Sequence, residues 1–215
     1  MRFTAAIFDL DGTLLDSTGM WDKIDADFLG RRGFAVPEDY AQAICALSFP
    51  ETAEYTIRRF GLTERPEAVM AEWSRMSEAE YRNSILLKDG ARDYLLRLRA
   101  AGVRLAVATT LTRELFEPCL SRNGIFGCFE AFFSAGADTC GKTGPEIFLR
   151  AARALDAPPE ACVVFEDILP AVRSAKRAGM RVCGVADAAS SRESGAIRAA
   201  ADWYISDYAS APLPE

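Results

Sequence analysis

Apolar residues along this chain fall into short compact runs and longer spaced patterns, and the two alternate. Phe3 to Phe8 is a compact run rich in β-formers that stops at Asp9, with the turn signal Asp11-Gly12-Thr13 just beyond it. It predicts a buried strand with an acid at its carboxyl end. Similar runs recur at Val103 to Ala108, Cys162 to Phe165 and Arg181 to Val185, with weaker ones at Ala131 to Ser134 and Trp203 to Ile205. Between them the spacing turns helical, at Ala91 to Ala101, Thr112 to Asn123, Pro145 to Leu155, Pro170 to Ala178 and Ser191 to Ala200. Gly102 and Gly179 stand where two of these helices should stop. Strand alternating with helix predicts an α/β fold with a doubly wound parallel sheet, in which ligands bind beyond the carboxyl ends of the strands.

One stretch breaks the alternation. From Thr18 to Ser84 only helical spacing is found, with Trp21, Ile24 and Phe28 on one face and Val69, Trp73 and Met76 on another. Pro37, Pro50 and Pro66 mark its turns, and the chain returns to the sheet pattern near Leu86 to Gly90. The expected organisation is a core domain of residues 1–17 and 85–215, with a small all-helical domain of residues 18–84 inserted after the first strand.

The chain has 215 residues, 50% of them hydrophobic, which is enough for one α/β core and an accessory unit. Asp and Glu number 31 against 25 Lys and Arg, a formal net charge of -6, so the surface as a whole should not attract a polyanion such as nucleic acid. No apolar stretch before Asp9 is long enough for a signal peptide or membrane span. The six cysteines, Cys45, Cys119, Cys128, Cys140, Cys162 and Cys183, form no CxxC pair and read as reduced thiols of a soluble, cytoplasmic protein. The chain has no histidine, which removes Ser-His and Cys-His nucleophile pairs, histidine bases and imidazole metal sites. Any metal must be held mainly by oxygen or thiolate.

The strand ends carry the candidate chemistry. In Phe8-Asp9-Leu10-Asp11-Gly12-Thr13-Leu14-Leu15-Asp16-Ser17, two acids two apart at a strand end can point both carboxylates at one site. An Asp-Gly turn with capping acids would look the same in isolation. Thr109 and Thr110 follow another strand where a helix begins, a seat for phosphate or simply a helix cap. Lys142, just before the helix at Pro145, is a compact cation able to neutralise phosphate oxygens, or a solvated loop lysine. Glu166 and Asp167 end Val163-Val164-Phe165 and place two more hard oxygen donors at the same sheet edge, where like charges are costly without a cation.

Taken in order, DxDGTLxDS, a strand ending in Thr, Lys before a Pro-acid pair, and FED before an AxxAGM-like helix resemble the motifs of the haloacid dehalogenase superfamily across nearly the whole chain. The helical insertion lies where members with a small helical cap carry theirs, in the subgroup that includes β-phosphoglucomutases, phosphoglycolate phosphatases and sugar-phosphate phosphatases. The resemblance implies a magnesium-dependent hydrolase of a small phosphorylated metabolite. Asp9 would be nucleophile and metal ligand, and Asp11 general acid/base and, through its carbonyl, a second ligand. Thr109, Thr110 and Lys142 would hold the phosphoryl group, and Asp167 with Glu166 would complete the metal site. Asp11, which can protonate an alkoxide leaving group, disfavours dehalogenase and phosphonatase chemistry.

The chain departs from the subgroup where Ile168 and Ala171 stand in place of the usual Ser and Gly, and where the Pro-x-Pro pattern after Lys142 is reduced to Thr143-Gly144-Pro145. The missing hydroxyl predicts weaker support of the magnesium shell. The alternatives are a β-phosphoglucomutase-like mutase and a non-catalytic phosphometabolite-binding protein. Against the mutase, Trp21 takes the place of a histidine of the mutase pattern, and the cap loop Leu47-Ser48-Phe49-Pro50-Glu51 has no basic residue, although Arg58 or Arg59 could supply one.

Overall fold

The computed structural model describes residues 3–44, 49–134 and 142–214. Cys45, Leu47, Ser48 and Cys140 of the sequence reading lie outside them. The chain divides into two compact units, one of Met1–Thr18 with Ile85–Glu215 and one of Gly19–Ser84. In chain order the elements begin β1 (Ala5–Phe8), β2 (Leu15–Asp16), α1 (Met20–Gly30), α2 (Tyr40–Ile44), α3 (Phe49–Phe60), α4 (Pro66–Asn83) and β3 (Leu86–Leu87). They continue α5 (Ala91–Ala100), β4 (Arg104–Thr109), α6 (Arg113–Arg122), β5 (Ala131–Ser134), α7 (Glu146–Ala154), β6 (Cys162–Glu166), α8 (Leu169–Arg177), β7 (Arg181–Val185), α9 (Ser194–Ala200) and β8 (Trp203–Ile205).

The first unit is an α/β fold around a six-stranded sheet in the order β5-β4-β1-β6-β7-β8, parallel throughout. The chain winds outward from β1 to β5, then returns to β6 on the other side of β1. That return creates a topological switch between β1 and β6, with a crevice beyond their carboxyl ends. All four residues of β1 are fully buried, which explains why the strand reads as a continuous apolar run rather than an alternating one.

The two faces of the sheet bury different chemistry. Ala5, Ile7 and Val164 pack with Ile147, Phe148 and Ala151 of α7 and with Val172 and Ala175 of α8. On the other face, the rings of Phe8 and Phe165 stack with centroids 4.4 Å apart, and Tyr94 and Tyr208 extend the cluster. Burying each such ring contributes on the order of 1.5–3 kcal/mol. The expected glycine stops are present: Gly102 and Gly179 follow α5 and α8 with φ of 78° and 81°, a conformation that side chains with a Cβ resist. The last expected helix is shorter, because Ser191–Glu193 forms a 3-10 turn before α9. Strands β2 and β3 pair antiparallel as a separate two-stranded ribbon, with Leu15 opposite Leu87 and Asp16 opposite Leu86.

The second unit is all helical. Ile24, Phe28, Tyr40, Val69 and Trp73 form its buried core, with Phe28 and Trp73 rings 5.3 Å apart. Trp21, expected beside Ile24 and Phe28, is instead 45% exposed near the start of α1, its ring 6.1 Å from that of Phe49. Pro66 opens α4, where a missing N–H is harmless, and Pro37 precedes α2, but Pro50 lies inside the first turn of α3 rather than between elements. The cysteines of the described residues, Cys119, Cys128, Cys162 and Cys183, are buried and free. No described helix is long and apolar enough to cross a membrane.

Candidate active site

Asp9 is the first residue beyond β1, and its N–H donates to the Phe165 carbonyl at 3.1 Å. That bond carries the β1–β6 ladder one step further and sets Asp9 beside the end of β6. Glu166 closes β6 and Asp167 follows it. Lys142, from the segment leading into α7, forms an ion pair with Asp9 Oδ1 and donates to Glu166 Oε1. All four side chains are buried.

The remaining oxygens are held by short local contacts. Glu166 Oε2 accepts from the N–H of Asp167 at 3.0 Å and that of Ile168 at 3.3 Å, so both of its oxygens already have donors. Asp167 Oδ1 accepts from the buried Thr13 hydroxyl at 3.1 Å. Gly12 makes room for this carboxylate: its φ is 70°, and a Cβ there would collide with Asp167 Oδ2. Tyr208 secures the same loop from behind by donating to the Thr13 carbonyl at 3.2 Å.

Of the other expected residues, Asp11 lies on this loop, and its Oδ1 accepts from the Ser17 hydroxyl at 2.7 Å. Thr109 ends β4, the neighbour of β1, where it is fully buried and its Oγ1 accepts the Leu111 N–H at 3.1 Å. Thr110 is exposed, since successive residues leave a strand on opposite sides. Ile168 is 39% exposed directly after the acid pair, whereas Ala171 is fully buried on the inner side of α8. The structure therefore brings Asp9, Lys142, Glu166 and Asp167 into one cluster and sets Asp11 and Thr109 on the adjoining strand ends. The supporting hydroxyls of Thr13 and Ser17 were missed from sequence; their only signal was their place inside the Asp9-to-Ser17 motif.

Three carboxylates share one ammonium here, and the titration behaviour reflects it. Burial, followed by the charges of Glu166 and Asp9, pushes Asp167 up to about 8. Burial also pushes Glu166 up to about 7, against the pull of Lys142. For Lys142, burial works against the ammonium, but the Asp9 and Glu166 carboxylates outweigh it and hold its pKa above the ordinary lysine value. Oxygens of Asp9, Glu166 and Asp167 lie within 4.8 Å of one another. Hard, buried oxygen donors with uncompensated negative charge suit a small divalent cation of the magnesium or calcium type. Because both Glu166 oxygens are engaged, Asp9 and Asp167 are the better placed ligands.

Fold and site thus define an α/β protein that gathers carboxylates and a lysine at the switch point of a parallel sheet. The chain belongs to the haloacid dehalogenase-like hydrolases, whose family model matches residues 3–179. It is 29% identical over 223 residues to the protein CbbY of Rhodobacter capsulatus, an alignment covering 98% of this chain and 96% of that one. It is 31% identical over 189 residues to hexitol phosphatase A of Escherichia coli, covering 86% and 84% of the two chains. A solved structure from Thermotoga maritima, provisionally named a β-phosphoglucomutase, superposes with a TM-score of 0.83 at 23% identity, covering 95% of this chain and 94% of that one.

Proposed function

We propose that this phosphatase hydrolyses a small phosphorylated metabolite in two steps, through an aspartyl-phosphate on Asp9. The observation that carries the reading is the buried Asp9–Lys142–Glu166–Asp167 cluster at the sheet's switch point. In the first step an Asp9 carboxylate oxygen attacks phosphorus, and protonated Asp11 gives its proton to the leaving oxygen. In the second, ionised Asp11 takes a proton from the water that attacks the aspartyl-phosphate, releasing phosphate and restoring both acids. Lys142, already against Asp9, offsets charge on the transferring oxygens, and the Thr109 hydroxyl and the Thr110 segment bind them.

Asp9, Asp167 and the Asp11 carbonyl would hold magnesium, with Glu166 steadying Lys142 beside them. When bound, the metal supplies positive charge that lets an anionic carboxylate approach an anionic phosphate ester. The hexitol phosphatase relative supports a metabolite-sized ester, and the net charge of -6 supports it over a nucleic acid.

The mutase reading needs a second cation for a doubly phosphorylated intermediate. Arg59 donates to Asp39 and Tyr55 and is so engaged within the helical unit, whereas Arg58 meets Glu54 only at the solvent-exposed surface. That observation favours water as the acceptor. Incubation with sugar and polyol phosphates plus magnesium should release free phosphate without isomer; rapid isomerisation of glucose 1-phosphate with negligible phosphate release would reverse the assignment.

A further inference from the structure

We propose that Asp187, just beyond β7, is a positioning residue for Asp11, tying the loop that carries it to both ends of the chain's excursion into the helical unit. The inference rests on the reading of Asp11 as acid/base. The Asp187 side chain is only 3% exposed, and its donors come from segments far apart in sequence. The Thr18 hydroxyl lies 2.6 Å from both carboxylate oxygens, Lys88 Nζ donates to Oδ2 at 2.8 Å, and the Ala189 N–H donates to Oδ1 at 2.9 Å. Thr18 is the last residue of the sheet unit before the helical unit begins, and Lys88 follows β3 on the return.

The same group reaches the catalytic loop by two routes. A Cβ on Gly12 would sit 3.2 Å from Asp187 Cγ, so the carboxyl packs directly against the turn after Asp11. Thr18 is also covalently next to Ser17, whose hydroxyl donates to Asp11 Oδ1 at 2.7 Å. Lys88 closes the arrangement: its Nζ donates to the Ala186 carbonyl at 2.6 Å and its N–H to the Leu14 carbonyl at 2.9 Å. A buried carboxylate is costly unless fully paired, and here a cation, a hydroxyl and a backbone N–H satisfy it. The two carboxylate oxygens accept from all three donors, whereas an amide would turn an N–H₂ toward one of them.

A merely structural tie would change stability and leave the balance of the two chemical steps alone, whereas a tie that aims Asp11 should slow the second step more. Stopped-flow hydrolysis of p-nitrophenyl phosphate by the full chain with saturating magnesium separates them. Nitrophenolate leaves without a proton, so only dephosphorylation of Asp9 uses proton transfer by the Asp11 carboxyl. For Asp187→Ala the burst should persist while steady turnover falls about 10- to 100-fold, the scale of a small misplacement of a catalytic group. Asp187→Asn should lose less, because its remaining oxygen still accepts from Thr18.

Steps that slow together in Asp187→Ala, or do not slow at all, would overturn the proposal. If that variant does not fold, Thr18→Val is judged by the same criterion. Asp11→Asn serves as reference. A burst there without one in Asp187→Ala defeats this inference alone, and native dephosphorylation by Asp11→Asn defeats the acid/base reading beneath it.

Discussion

In the sheet unit, Asp9, Lys142, Glu166 and Asp167 are buried together at one strand edge. In the helical unit, Arg58 with Glu54 and Arg82 with Glu78 lie on the outside of an aromatic core, open to solvent on both sides of each pair. Exposed pairs of that kind are each worth about 0–1 kcal/mol and could be exchanged with little consequence. A buried cluster is different, because desolvating several charges costs stability that local packing does not return. The contrast supports the sheet edge as the place of the proposed chemistry.

The sharpest way to break this contrast is to remove the metal. Chelation should abolish turnover, and magnesium should restore it better than calcium, since compact octahedral coordination suits two carboxylates and a phosphate oxygen. Full turnover in chelator would show that the carboxylate cluster is only structural. Within this experiment Ile168→Ser should saturate at lower magnesium than the natural chain, because a hydroxyl beside the acid pair could support a ligand.

Next in size is Lys142→Met. Leaving Asp9 and Glu166 buried without their cation should cost about 3–5 kcal/mol of stability, measured by urea unfolding. Turnover should fall by about 10²–10³, as for the loss of one electrostatic donor at a transferring group. The opposite result, a stable and active variant, would make Lys142 equivalent to a surface lysine.

The smallest effect tests Asp25, a buried carboxyl among the described residues of the helical unit. Burial, with the nearby Asp22 charge, pushes Asp25 up to about 6. A carboxyl whose folded pKa lies above its unfolded value loses stabilisation as pH rises from about 4 through about 6. Asp25→Asn does not titrate, so it should gain on the order of 2–3 kcal/mol over the natural chain at pH 7 and little at pH 4. Equal differences at both pH values in urea midpoints would remove the titration as the cause.

Much of this was legible in the sequence, for physical reasons that differ by element. Buried parallel strands announce themselves as runs such as Ala5-Ala6-Ile7-Phe8, and helices such as α7 by the spacing of Ile147, Phe148, Ala151 and Ala152. The β2–β3 ribbon did not, because two residues cannot display a period. At the site, strand-end position brought forward Asp9, Glu166 and Asp167, and the place before α7 brought forward Lys142, but each alone could be a cap or a solvated side chain, and only the order of the motifs as a whole set them apart. The bonds of Glu166 to Lys142 and to two backbone N–H groups are set by tertiary placement, and nothing in the order of residues encodes them. Thr109 and Thr110 look alike in sequence, and only the geometry of the strand end buries one and exposes the other. Lys88 and Asp187 are an ordinary lysine and an ordinary loop acid until the fold brings them to 2.8 Å.

The central claim is that Asp9 becomes phosphorylated, and the direct measurement is to trap that state. Asp11→Asn, given p-nitrophenyl phosphate and magnesium and then quenched in acid, should gain the mass of one phosphoryl group on the intact chain. Peptide mapping should place it on the segment containing Asp9, and Asp9→Asn should gain none while remaining folded. A phosphoryl group on another residue, or steady hydrolysis by Asp9→Asn with no covalent adduct, would contradict the account.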